Sequence, residues 1–232
     1  MKKIIRAKER YFADMWKIKS YFLFSFADYY DPNNMNWWAL RVFNDDFIAW
    51  ETWFPTHPHK HFEIITIMLS GTITHRDSLG NSEKIHAWEI QVTNTGSGIT
   101  HSEFNEEKED IKLFQIWFSP LETVPVPNYY TTKIDESLFK NTLFILASGI
   151  EKEKTNSLIS PVSVKRWNFD TWKVFIYKIN EEIKYILLYV ISWSVNIGED
   201  TLQKKDQLRI YDEKEILLEF LEESQIIVIE SK

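Results

Sequence analysis

Cysteine is absent from this 232-residue chain. That excludes a disulfide framework, a thiolate nucleophile and any Cys-bearing zinc or iron–sulfur site. Glycine and proline are scarce, with six and seven copies, so the chain is neither collagen-like nor of low complexity. No apolar run is long enough to cross a membrane as a helix. The longest, YILLYVISW (185–193), falls well short of ~20 residues and reads as a buried strand. The N-terminal MKKIIRAKERYF is charged and lacks a continuous apolar stretch, so no signal peptide is expected, and a soluble, cytoplasmic protein follows. Positive charge is in deficit. Lys plus Arg total 27 against 34 Asp plus Glu, for a net charge of −7. Such a chain lacks the electrostatic footprint of a nucleic-acid binder, and the runs EEKED (106–110) and EKEK (151–154) read as solvated loops.

Aromatic residues are plentiful at 16 %, which speaks for a folded, core-forming chain. Strand signals dominate. IITIMLS (64–70), KLFQIWF (112–118), WKVFIYKI (172–179), YILLYVISWSVNI (185–197) and QIIVIES (225–231) are rich in β-branched and aromatic residues. TITHRDSLGNSEKIHAWEIQV (72–92) reads as two strands around a turn at Ser78–Asn81, where Gly80 supplies the freedom. Only EKEILLEFLEES (213–224) has weak helical periodicity, and a run so short could equally be strand. Many short strands with turn signals suggest sandwiches or barrels. The segment FSPLETVPVPNYYTTK (118–133) holds three of the seven prolines and is the best linker candidate. It divides the chain near residue 130. All six histidines, at 57, 59, 61, 75, 86 and 101, lie before it. Histidine chemistry therefore belongs to a first domain, 1–130, and the second, 131–232, has no such ligands.

HPHKHFE (57–63) places histidines at alternate positions. Residues i and i+2 of a strand share a face, with Cα atoms ~6.5 Å apart, so His57 and His59 fit a chelating pair. Pro58 favours an extended His57. A second pair lies in NTGSGITHSEF (94–104), where His101 and Glu103 are again i and i+2 and Gly96 and Gly98 permit a tight turn. Two pairs on facing strands would offer three imidazoles and a carboxylate, a set suited to a divalent first-row metal with positions left open. Glu63 shares strand parity with His59, so the residues alone leave Glu63 and Glu103 both eligible as the carboxylate. His75 and His86 stand away from any paired ligand and are expected to be exposed. NTGSG lacks the lysine of a phosphate loop and reads as a structural turn, and no Ser-His-Asp or G-x-S-x-G arrangement is evident.

These stretches are familiar in combination. HPHKHFEIITIMLSGTITHRDSLGN, then TGSGITHSEF and LFQIWF, closely resembles the pirin family, as does SFADYYDPNNMNWWALRVFNDD (25–46). The likeness is nearly continuous from about residue 16 to residue 120 and much looser beyond. It implies an all-β bicupin, two jelly-roll β-barrels in one chain, with the metal in the N-terminal one. It also tips EKEILLEFLEES toward strand, turn and strand. By position it nominates His57, His59, His101 and Glu103 as ligands, with Glu63 a barrel-wall residue or a group orienting a ligand. The implied ion is iron(II), with nickel, copper, zinc, manganese or cobalt suited to the same donors. Two departures stand out. Relatives carry Gly or an acidic residue where this chain has His61, for which a rim position is expected, ahead of a hydrogen-bond partner or a fifth ligand. Relatives also carry Pro-Gly-Asp or Pro-Gly-Glu where this chain has Ala87-Trp88-Glu89, which puts the usual turn geometry in question.

The resemblance implies two functions of different kinds. One is a quercetin 2,3-dioxygenase activity, in which a flavonol and O₂ give a depside and carbon monoxide. There Glu103 would be the catalytic residue, accepting the proton of the 3-hydroxyl, with quercetin as a surrogate for a flavonol-like natural substrate. The other is a metal-dependent co-regulator that acts through a protein partner. No membrane or direct nucleic-acid partner is implied, and two barrels within one chain make a monomer the expected state.

Overall fold

The structure is a computed structural model that describes residues 1–121, 126–151 and 156–232. It is almost entirely strand, as the sequence leads one to expect for a bicupin. Among the described residues no helix is long and apolar enough to cross a membrane.

Two compact units share one topology. The first comprises Tyr11–Ile134 and has a seven-stranded sheet facing a four-stranded one. In the large sheet the order is Asn128–Lys133, Glu89–Asn94, Glu63–Ser70, Ile111–Phe118, Leu40–Ile48, Ile18–Phe22 and Tyr11–Met15. In the small sheet it is Thr52–His59, Ile99–Asn105, Thr72–Asp77 and Ser82–His86. The second unit repeats this plan with Asp135–Lys232 and also takes in Met1–Arg10. Its edge strand Lys2–Ile5 pairs antiparallel with Gln207–Tyr211. A division near residue 130 assigns those first ten residues to the N-terminal domain, whereas their backbone hydrogen bonds go to the C-terminal one. Local sequence carries no sign of that, because the partner strand is some two hundred residues away.

Most expected strands form, within a residue or two at the ends. EKEILLEFLEES resolves as the strand Glu215–Phe220, a turn, and the start of Ser224–Ser231. Two runs break where continuity was expected. TITHRDSLGNSEKIHAWEIQV is three strands, because the chain turns again at Ala87–Trp88. There Trp88 takes the glycine-like conformation at φ 65°, so the turn survives the loss of glycine. YILLYVISWSVNI likewise splits at Trp193, φ 60°.

Alternation accounts for the core. In IKLFQIWF, Ile111, Leu113, Gln115 and Trp117 share one face and Phe114, Ile116 and Phe118 the other. Ile111 and Leu113 join Ile48, Met68, Ile73 and Ile85 in a cluster inside the first unit. The cluster bridges both sheets and closes one end of the interior, leaving Gln115 and Trp117 to face an opening.

In the C-terminal unit the interior carries charge. Lys165 Nζ lies 2.5 Å from Glu230 and 3.7 Å from Glu151, and Tyr177 donates its hydroxyl to Glu230. Burial, reinforced by the Glu230 charge, drives the Tyr177 hydroxyl pKa far up, so it stays a donor. A buried ion pair is weakly stabilising as a whole but costly to break on one side. Lys165→Met is therefore expected to lower the urea unfolding free energy of this unit by about 3–5 kcal/mol. Lys165→Met combined with Glu230→Leu should recover most of that loss.

Candidate metal centre

HPHKHFE is not one strand. Thr52–His59 ends at His59, the chain turns through Lys60–Phe62, and a new strand in the opposite sheet starts at Glu63. His61 sits in that turn at φ 61°, exposed, its backbone N–H donating to Gly96 O. It is a rim residue. The strand parity that linked Glu63 to His59 is lost in the same turn. Glu63 is buried in the large sheet, opposite Asn94, and Tyr130 nearby has its pKa raised by burial and, less, by the Glu63 charge.

His57 and His59 do share a face, as their spacing requires. The neighbouring strand Ile99–Asn105 brings His101 directly opposite His57. The three rings converge, with His101 Nε2 2.9 Å from His59 Nε2 and 3.1 Å from His57 Nε2. His57 donates its Nδ1–H to Pro55 O at 2.8 Å, which leaves Nε2 as a bare acceptor. Lone pairs crowded this closely call for a cation among them. Two nitrogens about 3 Å apart, each about 2.0–2.1 Å from a common ion, subtend roughly 90° there. That suits six-coordination better than a tetrahedron. The donor set thus fits a divalent transition ion.

Glu103 is buried on the same strand, beyond an irregularity in pairing between it and His101. Its carboxylate groups closely with His101 and His75 and not with His57 and His59 together. It accepts both contacts of the Gln115 amide, at 3.2 and 3.3 Å. Trp117 Nε1–H in turn donates to Gln115 Oε1 at 2.8 Å, and its ring meets His59 edge-on at 4.7 Å. Gln115 and Trp117 were legible only as strand residues, although their alternation in KLFQIWF already put them on one face.

His75 is where the sequence misleads. It is fully buried, not exposed, and lies opposite Glu103 in the ladder. Its Nδ1 is 3.3 Å from His101 Nδ1 and its Nε2 3.2 Å from Asp77 Oδ2. T-H-R-D is a third i,i+2 pair of potential ligands, and the spacing test that found the other two would have found it. His86 is exposed, as expected.

Burial governs the charge states. It lowers the pKa of His59 to about 4 and that of His101 to about 2, with the neighbouring imidazoles adding to both. Burial also lowers His75, against the opposing pull of Asp77. His59, His101 and His75 are thus neutral at neutral pH. Burial, then the charge of Asp46, raises Glu103 to about 7.

Beside these groups is a cavity of about 300 Å³. Phe22, Phe26, Ile48, Phe54 and Leu113 make its apolar wall, and His57, His59, Glu103 and Gln115 its polar end. This is a small-molecule site of the usual kind, mostly apolar with a few convergent polar groups.

The sequence profile of the pirin family matches residues 5–118. A pirin-like protein of Caulobacter vibrioides is 35 % identical over 225 residues, which cover 94 % of this chain and 94 % of the relative. The chain belongs to the pirin family. Another pirin relative, the quercetin 2,3-dioxygenase of Escherichia coli K12, is 34 % identical over 226 residues, 97 % of this chain and 96 % of that one. The crystal structure of a bacterial pirin from Escherichia coli in complex with nickel(II) aligns with a TM-score of 0.92 at 33 % identity. It covers 100 % of this chain and 99 % of its own.

Asp46 lines the same cavity and is held by the Ser20 hydroxyl. Burial is the main cause that raises its pKa to about 7, well above the ~3.9 of an unfolded chain. A carboxyl raised in the fold favours folding while protonated, and that contribution is lost as pH rises through about 7. In chelator-treated protein, Asp46→Asn should therefore melt higher than wild type at about pH 8 and equally at about pH 4. Thermal scans at the two pH values check this.

Proposed function

We propose that this pirin is a metal-dependent dioxygenase that opens a flavonol such as quercetin with O₂, giving a depside and carbon monoxide. The observation that carries the reading is the convergence of three imidazoles beside an apolar cavity with a buried carboxylate. In this proposal His57, His59, His101 and Glu103 hold one divalent transition ion, iron or nickel being suitable. The ligand set belongs to the Tyr11–Ile134 unit, and among the described residues the C-terminal unit has none. When bound, the ion supplies Lewis acidity and a template for the flavonol 3-oxygen.

The chain's own residues do the rest. Phe22, Phe26, Phe54 and Leu113 accept the flat aromatic rings and exclude water. Excluding water strengthens every polar interaction at the inner end. Glu103, buried at the polar end of the cavity, is placed to take the 3-hydroxyl proton. Gln115, braced by Trp117, holds that carboxylate while it changes charge. The name of the Escherichia coli relative supports the substrate class.

The test loads purified protein separately with Fe(II), Ni(II), Mn(II), Co(II) and Cu(II). Flavonol loss, O₂ uptake and carbon monoxide release are followed together. Equal consumption and release with at least one ion is expected, and none with any ion overturns the proposal. Two variants sharpen it. His101→Ala should lose the ion while retaining its far-ultraviolet spectrum. Glu103→Gln, assayed at an ion content matched to wild type, should lose about 10²–10⁴-fold in turnover.

A further inference from the structure

His75 does not itself line the cavity, yet it is the most enclosed ionisable group near the three converging imidazoles. Its surroundings define a chain of donors. Asp77 Oδ1 accepts from the backbone of Leu79 and Asn81, and Oδ2 from the Asn81 amide. These bonds outweigh the opposing effect of burial, so the carboxyl stays below its usual range and is an acceptor only. His75 Nε2 must then carry the hydrogen that points at Asp77. That leaves His75 Nδ1 bare, and it can only accept from His101 Nδ1–H. His101 Nε2 is consequently bare as well, aimed at His57 and His59. The His75 ring cannot swing out, because Tyr129 stacks on it at 4.9 Å and is itself pinned by donating its hydroxyl to Glu83.

We infer that His75 is a positioning residue for the metal centre: with Asp77 behind it, it fixes the tautomer and rotation of His101. This rests on the ligand set proposed above. A ligand imidazole whose far nitrogen is anchored in this way binds more tightly, and losing such a partner typically costs about 10–100-fold in affinity. The close grouping of His75, His101 and Glu103 is therefore not a second ion site, because both His75 nitrogens are already committed.

Imidazole ¹⁵N shifts of the full-length, metal-free protein read the tautomers directly. Nδ1–H on His101 and Nε2–H on His75 are expected; Nε2–H on His101 overturns the inference whether or not the protein is a dioxygenase. Ni(II) competition with a chelator then compares His75→Phe with His75→Gln, whose amide oxygen can still accept from His101. His75→Phe should bind Ni(II) about 10–100-fold more weakly and shift the Co(II) ligand-field bands. His75→Gln should recover most of both. Ni(II) affinity within twofold of wild type in His75→Phe also overturns it.

A separate observation carries a second inference. Five of the ten tryptophans, Trp16, Trp38, Trp88, Trp172 and Trp193, adopt φ between 54° and 65°. Each stands in a tight connection just before a strand. Four are exposed, Trp16 and Trp172 to about 80 %. A left-handed backbone is an outlier for a bulky side chain, and glycine is the default there. Glycine numbers only six, well below the ~7 % of average proteins. By contrast Trp117 and Trp167 lie within strands and pack against aromatic neighbours. We infer that the organism that makes this protein inserts glycine at these five positions, reading the codon UGA, one base from a glycine codon and one from the tryptophan codon, as glycine. The gene should carry UGA at all five and UGG at Trp117 and Trp167. Peptide masses of protein isolated from its own cells should show glycine at the five. UGG codons or tryptophan masses there overturn the inference.

Discussion

Three converging imidazole nitrogens, with His101 Nε2 about 3 Å from each of the other two, form the constraint on which the centre depends. Without a cation among them, they face one another at hydrogen-bond distance with too few hydrogens to share. Each is turned inward by something outside the group. Pro55 O takes the His57 hydrogen, the Trp117 ring edge abuts His59, and His101 leans back on His75. Antiparallel pairing does the coarse placement by setting His57 opposite His101. Side-chain hydrogen bonds do the fine placement. The same burial that keeps these rings neutral raises the neighbouring carboxylates, so the chemistry of the site and its energetic cost have one origin.

The C-terminal unit shows that the fold does not dictate this chemistry. Its sheets repeat the same strand order. In the strand pair corresponding to that of His57 and His101, Tyr177 lies opposite Ile216. The interior there is occupied by a self-satisfied set, Lys165 with Glu230 and the Tyr177 hydroxyl. One barrel leaves its polar groups short of a partner and the other supplies partners from within. Among the described residues, groups suited to an ion occur only in the first unit.

Much of the site was legible from spacing. The i,i+2 rule paired His57 with His59 and His101 with Glu103, and strands do carry both pairs. It failed where a strand was assumed to continue. Lys60–Phe62 forms a turn, so His61 and Glu63 leave the face their parity suggested. It failed for His75 in the opposite direction. The residue was judged by its distance along the chain from other ligands, while the sheet places it beside Glu103 and against His101. The allegiance of Met1–Arg10 was hidden for the same reason, since its partner strand lies at the far end of the sequence. Local pattern reads faces; pairing across strands decides which faces meet.

Two hydrogen-bond chains reach the centre from different sheets, and they do different work. Trp117 and Gln115, on the large sheet, end on Glu103, the group that takes the proton in the proposed reaction. An amide suits that role, because it can remain a donor whatever the charge of the carboxylate. Asn81, Asp77 and His75, on the small sheet, end on His101, which must stay neutral throughout. A carboxylate backed by several donors suits that role, because it fixes one tautomer through the intervening ring. A responsive side and a fixed side around one donor set are what a centre needs if it is to hold an ion steadily while passing a proton.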